Sequence, residues 1–291
     1  METIKPGIFF DDSFHGICVG ALVFPHGTIY IDSPLRAEDT RKWRNALMNQ
    51  RGGSNKLVVL LDSHIDRTIG ARALECTVLA HQKTAQVFQN RPSVFKGQSL
   101  ESGGEWEAFS DTIGTRWAPP DITFTNTISL HWGGPQVNIE HHPGPTPGSS
   151  WAVIPDEKVI FIGDAVLLNQ PPFFANADLD EWIQVLEYLI SKHRNYLTIS
   201  ARGGEFTPDV TRSQLRLLKK LNRHLNKLAL KNAPPESTEK LISMVLDIYE
   251  FPNTRLEKYT ERLRTGLYQY YLRHYHPPSA DEDIMIEDEQ S

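Results

Sequence analysis

Apolar runs of strand length alternate with polar turns and amphipathic segments along the chain, and this pattern predicts an α/β fold. The run from Leu57 to Leu61 is unbroken and rich in Val and Leu, which is typical of a strand covered on both faces. It stops at Asp62, and His64 and Asp66 follow before a helix predicted from Thr68 to Cys76. The sequence therefore predicts a polar site at the carboxyl end of a buried strand.

Short apolar runs bounded by turn residues predict further strands, and apolar residues three or four apart predict helices. The predicted strands are Gly7 to Asp12, Gly16 to Phe24, Thr28 to Asp32, Thr77 to Ala80, Asp121 to Phe124, Thr127 to Leu130, Gln136 to His141, Trp151 to Ile154, Val159 to Ile162 and Tyr196 to Ser200. The predicted helices are Arg36 to Arg51, one that begins at His81, Asp178 to His193, Thr211 to Asn232, Glu236 to Glu250 and Thr254 to His274.

The segment from Asn90 to Pro120 is predicted to be irregular, and Trp106, Phe109 and Trp117 either line a substrate wall or anchor the segment itself. Near the middle of the chain, Gly163 is expected to let the backbone approach closely just before Asp164.

The composition narrows the class of protein. A net charge of -6 and a pI near 6.0 give no basic footprint for nucleic acid, and no apolar run approaches bilayer length. The start of the chain does not have the pattern of a signal peptide, so we expect a cytoplasmic protein. Cys18 and Cys76 are too few for a disulfide framework and are expected to be buried thiols.

Several blocks, in order, carry a resemblance to the metallo-β-lactamase superfamily. Asp62 to Arg67 resembles its metal-binding loop, His141 to Ser150 its third-histidine block, Val159 to Val166 the strand that ends in a bridging aspartate, and Ile199 to Gly204 its glycine turn. Ile29 to Pro34 also matches its early strand and terminal aspartate. The resemblance implies a four-layer αββα sandwich over residues 1–207 with a C-terminal helical extension over residues 208–276. Residues 277–291 are expected to be an acidic, disordered tail.

The resemblance also assigns the superfamily's metal ligands to positions of this sequence. It aligns histidine ligands with Asp62, His64, Arg67, Pro145 and Arg202, and aspartate ligands with Asp66 and Asp164. The expected side chain is therefore kept only at His64, Asp66 and Asp164.

Half of a dinuclear site could survive these substitutions. Asp62, His64 and Asp164 could hold one divalent cation (zinc, iron or manganese), and His142 could replace the ligand lost at Pro145. Proline supplies no side-chain donor and stiffens its loop. We therefore expect either no metal or one divalent metal.

The second metal position keeps Asp66 and a share of Asp164 but loses its two histidine ligands to Arg67 and Arg202, because arginine is always charged and cannot coordinate a metal. We hypothesise that Arg67 and Arg202 fill the volume of the metals and pair with Asp62, Asp66 and Asp164 in a salt-bridge network.

Two classes of function remain open at this point. In the first, the dinuclear hydrolase site is degraded, and the fold serves as a binding or interaction module whose arginines either hold an anionic small molecule or stabilise the loops. In the second, the chain is a mononuclear hydrolase of an ester, lactone, thioester or phosphoester, with His64 and Asp66 as its catalytic residues. An acid-base enzyme without metal is a weaker third interpretation. The C-terminal helices resemble those that cover the site or join subunits in this family, which is compatible with a homodimer.

Overall fold

Two β-sheets lie face to face in the computed structural model, which describes residues 1–14, 16–96 and 112–276. The first sheet contains, in spatial order, β1 (Glu2–Lys5), β2 (Ile8–Asp11), β3 (Val19–Phe24), β4 (Gly27–Ile31), β5 (Asn55–Leu60), β6 (Thr77–His81) and β7 (Ile122–Phe124). The second sheet contains β8 (Thr127–Leu130), β9 (Val137–His141), β10 (Ser150–Ile154), β11 (Val159–Phe161), β12 (Leu197–Ser200) and β13 (Gly204–Phe206), again in spatial order.

Helices cover the outer faces of both sheets. On the first sheet lie α1 (Ala37–Met48), α2 (Ile65–Thr68), a 3-10 helix (Ile69–Leu74) and α3 (Gln82–Asn90). On the second lie α4 (Leu179–Lys192), α5 (Pro208–Ala229), a 3-10 helix (Pro235–Leu241), α6 (Ile242–Leu246) and α7 (Leu256–Tyr275). One apolar cluster fills the space between the sheets, and one lies under each helical layer. The predicted αββα sandwich with a C-terminal helical extension is therefore confirmed.

The direction of the strands decides where polar residues collect. β4, β5, β6 and β7 are mutually parallel in the first sheet, and β11 and β12 are parallel in the second. The carboxyl ends of parallel strands meet at one edge of a sheet. Asp32, Asp62, Asp164 and Arg202 follow β4, β5, β11 and β12.

The C-terminal helices differ from the prediction in one element. The helix predicted from Glu236 to Glu250 is wrong, because the structure has a 3-10 helix followed by the five-residue α6. The hydroxyl of Thr238 donates to the carbonyl of Pro235 at 2.8 Å, a local bond that competes with α-helical pairing. The helices before and after it, α5 and α7, lie within a few residues of their predicted bounds.

The cysteines and Trp117 have the following surroundings in the structure. Cys18 is buried and Cys76 is half-buried, and both are free thiols. Trp117 packs edge-on against Phe88, with the guanidinium of Arg91 4.2 Å above its ring, so it anchors its own segment. Trp106, Phe109 and the predicted tail lie outside the described residues. No helix among the described residues is long and apolar enough to cross a membrane.

Candidate functional site

Arg67 lies at the centre of a buried group of carboxylates. Its side chain is 0% exposed, and its guanidinium contacts Asp32, Asp62 and Asp164. Nη1 donates to Asp32 Oδ2 at 2.5 Å, while Nη2 donates to Asp62 and lies 3.2 Å from Asp164 Oδ2. Arg67 therefore joins the ends of β4, β5 and β11, and so joins the two sheets.

Arg202 forms the second half of the same group. Its Nε donates to Asp164 Oδ1 at 3.0 Å, and its Nη2 donates to Asp66 Oδ1 at 2.9 Å. Nη1 also donates to Asp66 and to the backbone carbonyl of Gly16, and Nη2 lies 3.1 Å from His64 Nδ1. The side chain is 2% exposed, so these polar partners take the place of water.

The turn after β5 sets the positions of His64 and Asp66. Asp62 Oδ1 accepts a hydrogen bond from the backbone N–H of His64 at 2.8 Å, which folds the chain back at the end of the strand. The hydroxyl of Thr68 donates to the carbonyl of His64. The helix consequently starts at Ile65 and not at the predicted Thr68, so Asp66 lies in its first turn with its Oδ1 2.7 Å from His64 Nδ1.

Asp32 belongs to the group, although sequence reasoning did not include it among the site residues. It is 1% exposed, has a left-handed backbone with φ of 59°, and its Oδ1 accepts from the backbone N–H of Leu61 at 2.9 Å. A signal was present in the sequence, because Asp32 ends the predicted strand Thr28 to Asp32 and is the aspartate of the block Ile29 to Pro34. The parallel neighbour relation between β4 and β5 was the missing information.

Two of the carboxyl groups are held ionised by the arginines. Burial alone would raise the pKa of Asp164, but the Arg202 and Arg67 guanidiniums outweigh burial and lower it to about 2. Burial likewise opposes ionisation of Asp66, but Arg202 and His64 together hold its pKa well below the ordinary value. The folded protein therefore stabilises both as carboxylates.

At Asp32 the effect of burial on the pKa exceeds that of the neighbouring arginine. Burial raises its pKa to about 6, and the negative charge of Asp62 adds to this effect, while Arg67 only partly compensates. Four acids, Asp32, Asp62, Asp66 and Asp164, share two guanidiniums, so negative charge is in excess within the group.

Gly163 is needed for a reason other than the predicted one. Its φ is +57°, a left-handed conformation that favours glycine, and a Cβ there would meet Leu61 and Arg67 only at ordinary contact distances of 3.5 and 3.6 Å. The backbone turn that presents Asp164, and not a close approach, requires the glycine.

A strap formed by residues 167–177 covers the group from the side of the C-terminal helices. The ring of Phe173 lies 4.4 Å from the ring of His64 and 5.2 Å from the guanidinium carbon of Arg202. The guanidinium carbon of Arg262, in α7, lies 3.9 Å from the centroid of the same ring, and Arg262 donates to Gln170 at 2.8 Å. No sequence pattern singled out Phe173 or Arg262, because each is one residue in an otherwise ordinary segment.

Other predicted residues lie in different surroundings. His142 Nε2 is 3.1 Å from Glu140, and its ring stacks on Trp151 at 3.8 Å. Pro145 is buried in the same loop. His81 caps α3 by accepting from the backbone N–H of Lys83, which is a structural role.

The acids of the buried group bond guanidiniums in the arrangement described above. Within residues 1–14, 16–96 and 112–276, no group of three or more His, Cys, Asp or Glu side chains is arranged to hold a metal ion. The oxygen atoms of Asp62, Asp66 and Asp164 instead face guanidinium nitrogens.

The family model of the metallo-beta-lactamase superfamily matches residues 64–221, which is more than half of the chain. The chain belongs to the metallo-beta-lactamase superfamily. The resemblance found in the sequence is thus confirmed at the level of family. No curated protein sequence matches the chain.

Solved structures with this fold match the chain at low sequence identity. A stereoselective inverting sec-alkylsulfatase, Pisa1 from Pseudomonas sp., superposes with a TM-score of 0.67 and 16% identity, over 97% of this chain and 51% of its own. A metallo-beta-lactamase from Pontibacter korlensis gives a TM-score of 0.56 and 19% identity, over 75% of this chain and 97% of its own. DIM-1 metallo-beta-lactamase gives a TM-score of 0.57 and 18% identity, over 75% of this chain and 96% of its own.

The two kinds of neighbour differ in how much of the chain they cover. This chain spans about half the length of the sec-alkylsulfatase it matches. Because that match covers 97% of this chain, it includes most of the C-terminal helices, whereas the match to the Pontibacter enzyme leaves a quarter of the chain uncovered. At these identities the likeness concerns the fold alone.

Proposed function

We propose that this chain is a superfamily member whose dinuclear hydrolase site is replaced by a buried salt-bridge network, and that it serves as a binding or interaction module without metal-dependent hydrolysis. The observation that carries the proposal is the position of the two guanidiniums. Arg67 and Arg202 bond the acids that would otherwise be ligands, and both side chains are almost completely buried.

The position of the guanidiniums supports a network without a metal, because the acid oxygens that a cation would need already bond guanidinium nitrogens. A divalent cation among these acids would lie within a few ångströms of both guanidiniums. At 4 Å and an effective dielectric constant near 20, each pair of unit charges repels by about 4 kcal/mol, and the doubled charge of the metal increases this. Moving the guanidiniums out of the way would remove the partners of Asp32 and Asp164, which is costly for buried carboxylates.

The geometry also favours stabilisation of the loops by the arginines over binding of an anionic small molecule. Arg202 uses Nε, Nη1 and Nη2 on Asp164, Asp66 and the carbonyl of Gly16, and Arg67 uses both terminal nitrogens on carboxylates. Since the acids exceed the guanidiniums, a further anion would meet net repulsion. The arginines therefore stabilise the loops and do not bind an anionic ligand.

Metal analysis of protein purified without chelator tests the proposal. A superfamily hydrolase purified in the same way serves as the control that keeps its metal. We expect substoichiometric zinc, iron and manganese in this protein, because guanidiniums occupy the ligand positions. Near-stoichiometric amounts of any of the three would contradict the proposal and favour the mononuclear hydrolase.

A hydrolysis panel provides an independent readout. The panel contains an ester, a lactone, a thioester and a phosphoester, together with a secondary alkyl sulfate because a sec-alkylsulfatase matches almost the whole chain. We expect background rates with and without added metal. Metal-dependent turnover that is lost in His64→Ala would overturn the proposal.

A homodimer and a cytoplasmic location remain part of the proposal. Multi-angle light scattering on the purified full chain would establish the number of subunits, and fractionation of cells that express it would establish the location.

A further inference from the structure

The outward face of α5 carries a stripe of basic residues that has no role in the site. Arg216, Lys220, Arg223 and Lys227 are all exposed and are spaced by four, three and four residues. At 100° per residue they fall within an arc of about 60°, and at 1.5 Å per residue the stripe is about 16 Å long. We call these four residues the basic stripe.

The basic stripe lacks acidic partners in the part of the chain that the structure describes. Neighbouring Arg212 and Lys219 form ion pairs with Asp209 and Glu187, whereas none of the four stripe residues has an ion pair within that part. The positive charge of the stripe contrasts with the net charge of the whole protein, which is -6. A concentrated positive face on an acidic protein is a surface that attracts anionic groups.

Membrane insertion does not account for this helix. The opposite face of α5, with Leu217, Leu218, Leu221 and Leu225, is buried in the apolar cluster under the second sheet. An interfacial helix needs such a face free to enter the lipid. Only the charged face is available for binding.

The end of α7 lies beside the basic stripe. The hydroxyl of Tyr275 donates to Asn226 Oδ1 at 2.8 Å, and Asn226 is the neighbour of Lys227. The chain continues from this point with four residues, 277–280, which span at most about 14 Å when extended. The eleven residues 281–291 can span up to about 36 Å more, so the segment is long enough to reach the far end of the stripe.

The sequence of residues 281–291 matches this surface in charge. It reads DEDIMIEDEQS, with six acids divided into two groups around Ile-Met-Ile. Next to the stripe, a surface cavity of about 470 Å³ is lined by Ile183, Lys219, Asn222, Arg223 and Asn226. An apolar side chain flanked by acids can enter such a cavity while the acids meet the basic residues around it.

We propose that the basic stripe of α5 is the binding surface for the acidic segment 281–291 of the same chain. A single exposed ion pair contributes little to stability, but several act together here and the tether makes the encounter intramolecular. We expect the contact to be salt-sensitive because the four stripe residues are exposed. The same face would bind acidic peptides from other proteins only when this segment is displaced.

Zero-length carbodiimide cross-linking of the full chain, read by mass spectrometry, tests the proposal. We expect Lys220 and Lys227 to cross-link to the acids of 281–289 at least several-fold more than the exposed Lys5 and Lys56 do. About 1 M salt, where the screening length is about 3 Å, should abolish the difference.

Two double variants distinguish the effect of the stripe residues from the effect of the protein's net charge. Arg216→Gln with Arg223→Gln keeps both reporter lysines and should lower their cross-links several-fold. The matched control, Arg41→Gln with Arg51→Gln, changes two exposed arginines elsewhere and should leave them unchanged. Equal cross-linking of all exposed lysines, insensitivity to the stripe variant, or cross-links only between isotopically distinct copies of the chain would each overturn the proposal.

Discussion

The guanidinium of Arg202 lies against both oxygens of Asp164, with Nε 3.0 Å from Oδ1 and Nη2 3.3 Å from Oδ2. This side-on pairing uses the two donors that a planar guanidinium presents along one edge. The second oxygen of Asp164 also meets Arg67 at 3.2 Å. One carboxylate thus links two arginines, so the loss of either cation affects the other through a shared partner.

Removing Arg67 should be costly. Arg67→Ala leaves Asp32, Asp62 and Asp164 buried without their common cation, and we expect a loss of about 3–5 kcal/mol in the free energy of unfolding. Chemical denaturation at neutral pH measures it. The free energy of unfolding of Arg67→Lys should lie between those of wild type and Arg67→Ala. An ammonium keeps the positive charge but lacks the planar pair of donors of a guanidinium.

Arg212→Ala provides the control for this series. Arg212 forms an exposed pair with Asp209, and its removal should change stability by no more than about 0.5 kcal/mol. If Arg67→Ala were as neutral as Arg212→Ala, the proposed network would be wrong.

Added metal should not stabilise the folded protein. Zinc or manganese raises the unfolding temperature of a protein only if it binds the folded state more tightly than the unfolded one. We expect no increase in wild type, measured by differential scanning fluorimetry after removal of chelator, and the same result in His64→Ala. A concentration-dependent rise that disappears in His64→Ala would instead support a mononuclear site.

Arg262 should control how often the strap opens. Its Nη1 bonds Gln170 at 2.8 Å and the carbonyl of Pro171 at 3.2 Å, and hydrogen bonds of charged groups contribute about 1.5–3 kcal/mol each. In Arg262→Met we expect amide exchange of residues 167–177 to accelerate by at least about tenfold, as read by hydrogen-exchange mass spectrometry.

The matched control for this experiment lies two residues away on the same helix. Arg264 is only partly buried and pairs with Glu239 and Glu261, so Arg264→Met should leave exchange of the strap unchanged. Equal exchange in the two variants would show that Arg262 does not hold the strap.

Acidification should weaken the fold through His81. Burial lowers the pKa of His81 and of His141, which stacks on it at 3.8 Å, below the ordinary value of 6.5. The unfolded chain then binds these protons more tightly than the folded chain, so their contribution to stability is present above pH 6.5 and is lost as the pH falls.

Denaturation at a series of pH values measures this effect. His81→Asn should flatten the decline in unfolding free energy between about pH 7.5 and about pH 5.5, whereas His131→Asn, at an exposed turn position, should not. A decline that is equally steep in wild type and in His81→Asn would contradict the assignment.

The sequence predicted the layers of the fold well and the details of the site less completely. The unbroken apolar run from Leu57 to Leu61 was interpreted as a buried strand, and the structure has a strand there. The order of the motif blocks predicted the αββα sandwich. The strands Glu2–Lys5 and Gly204–Phe206 were missed because neither contains an apolar run, since they read ETIK and GEF. Asp32 was missed as a partner of Arg67 because their contact depends on which strands are neighbours.

Longer-range contacts set the other limit of prediction. Arg202 was aligned through one glycine turn, and the structure brings it to Asp66 and Asp164, which are 136 and 38 residues away. Nothing in the sequence connects Phe173 with Arg262, because they meet only when α7 packs against the strap.

The acids of the buried group come from both sheets, with Asp32 and Asp62 following strands of the first and Asp164 following a strand of the second. Arg67 bonds all three. Separating the two sheets would therefore leave buried carboxylates without their shared cation, and we expect the two halves of the sandwich to unfold together.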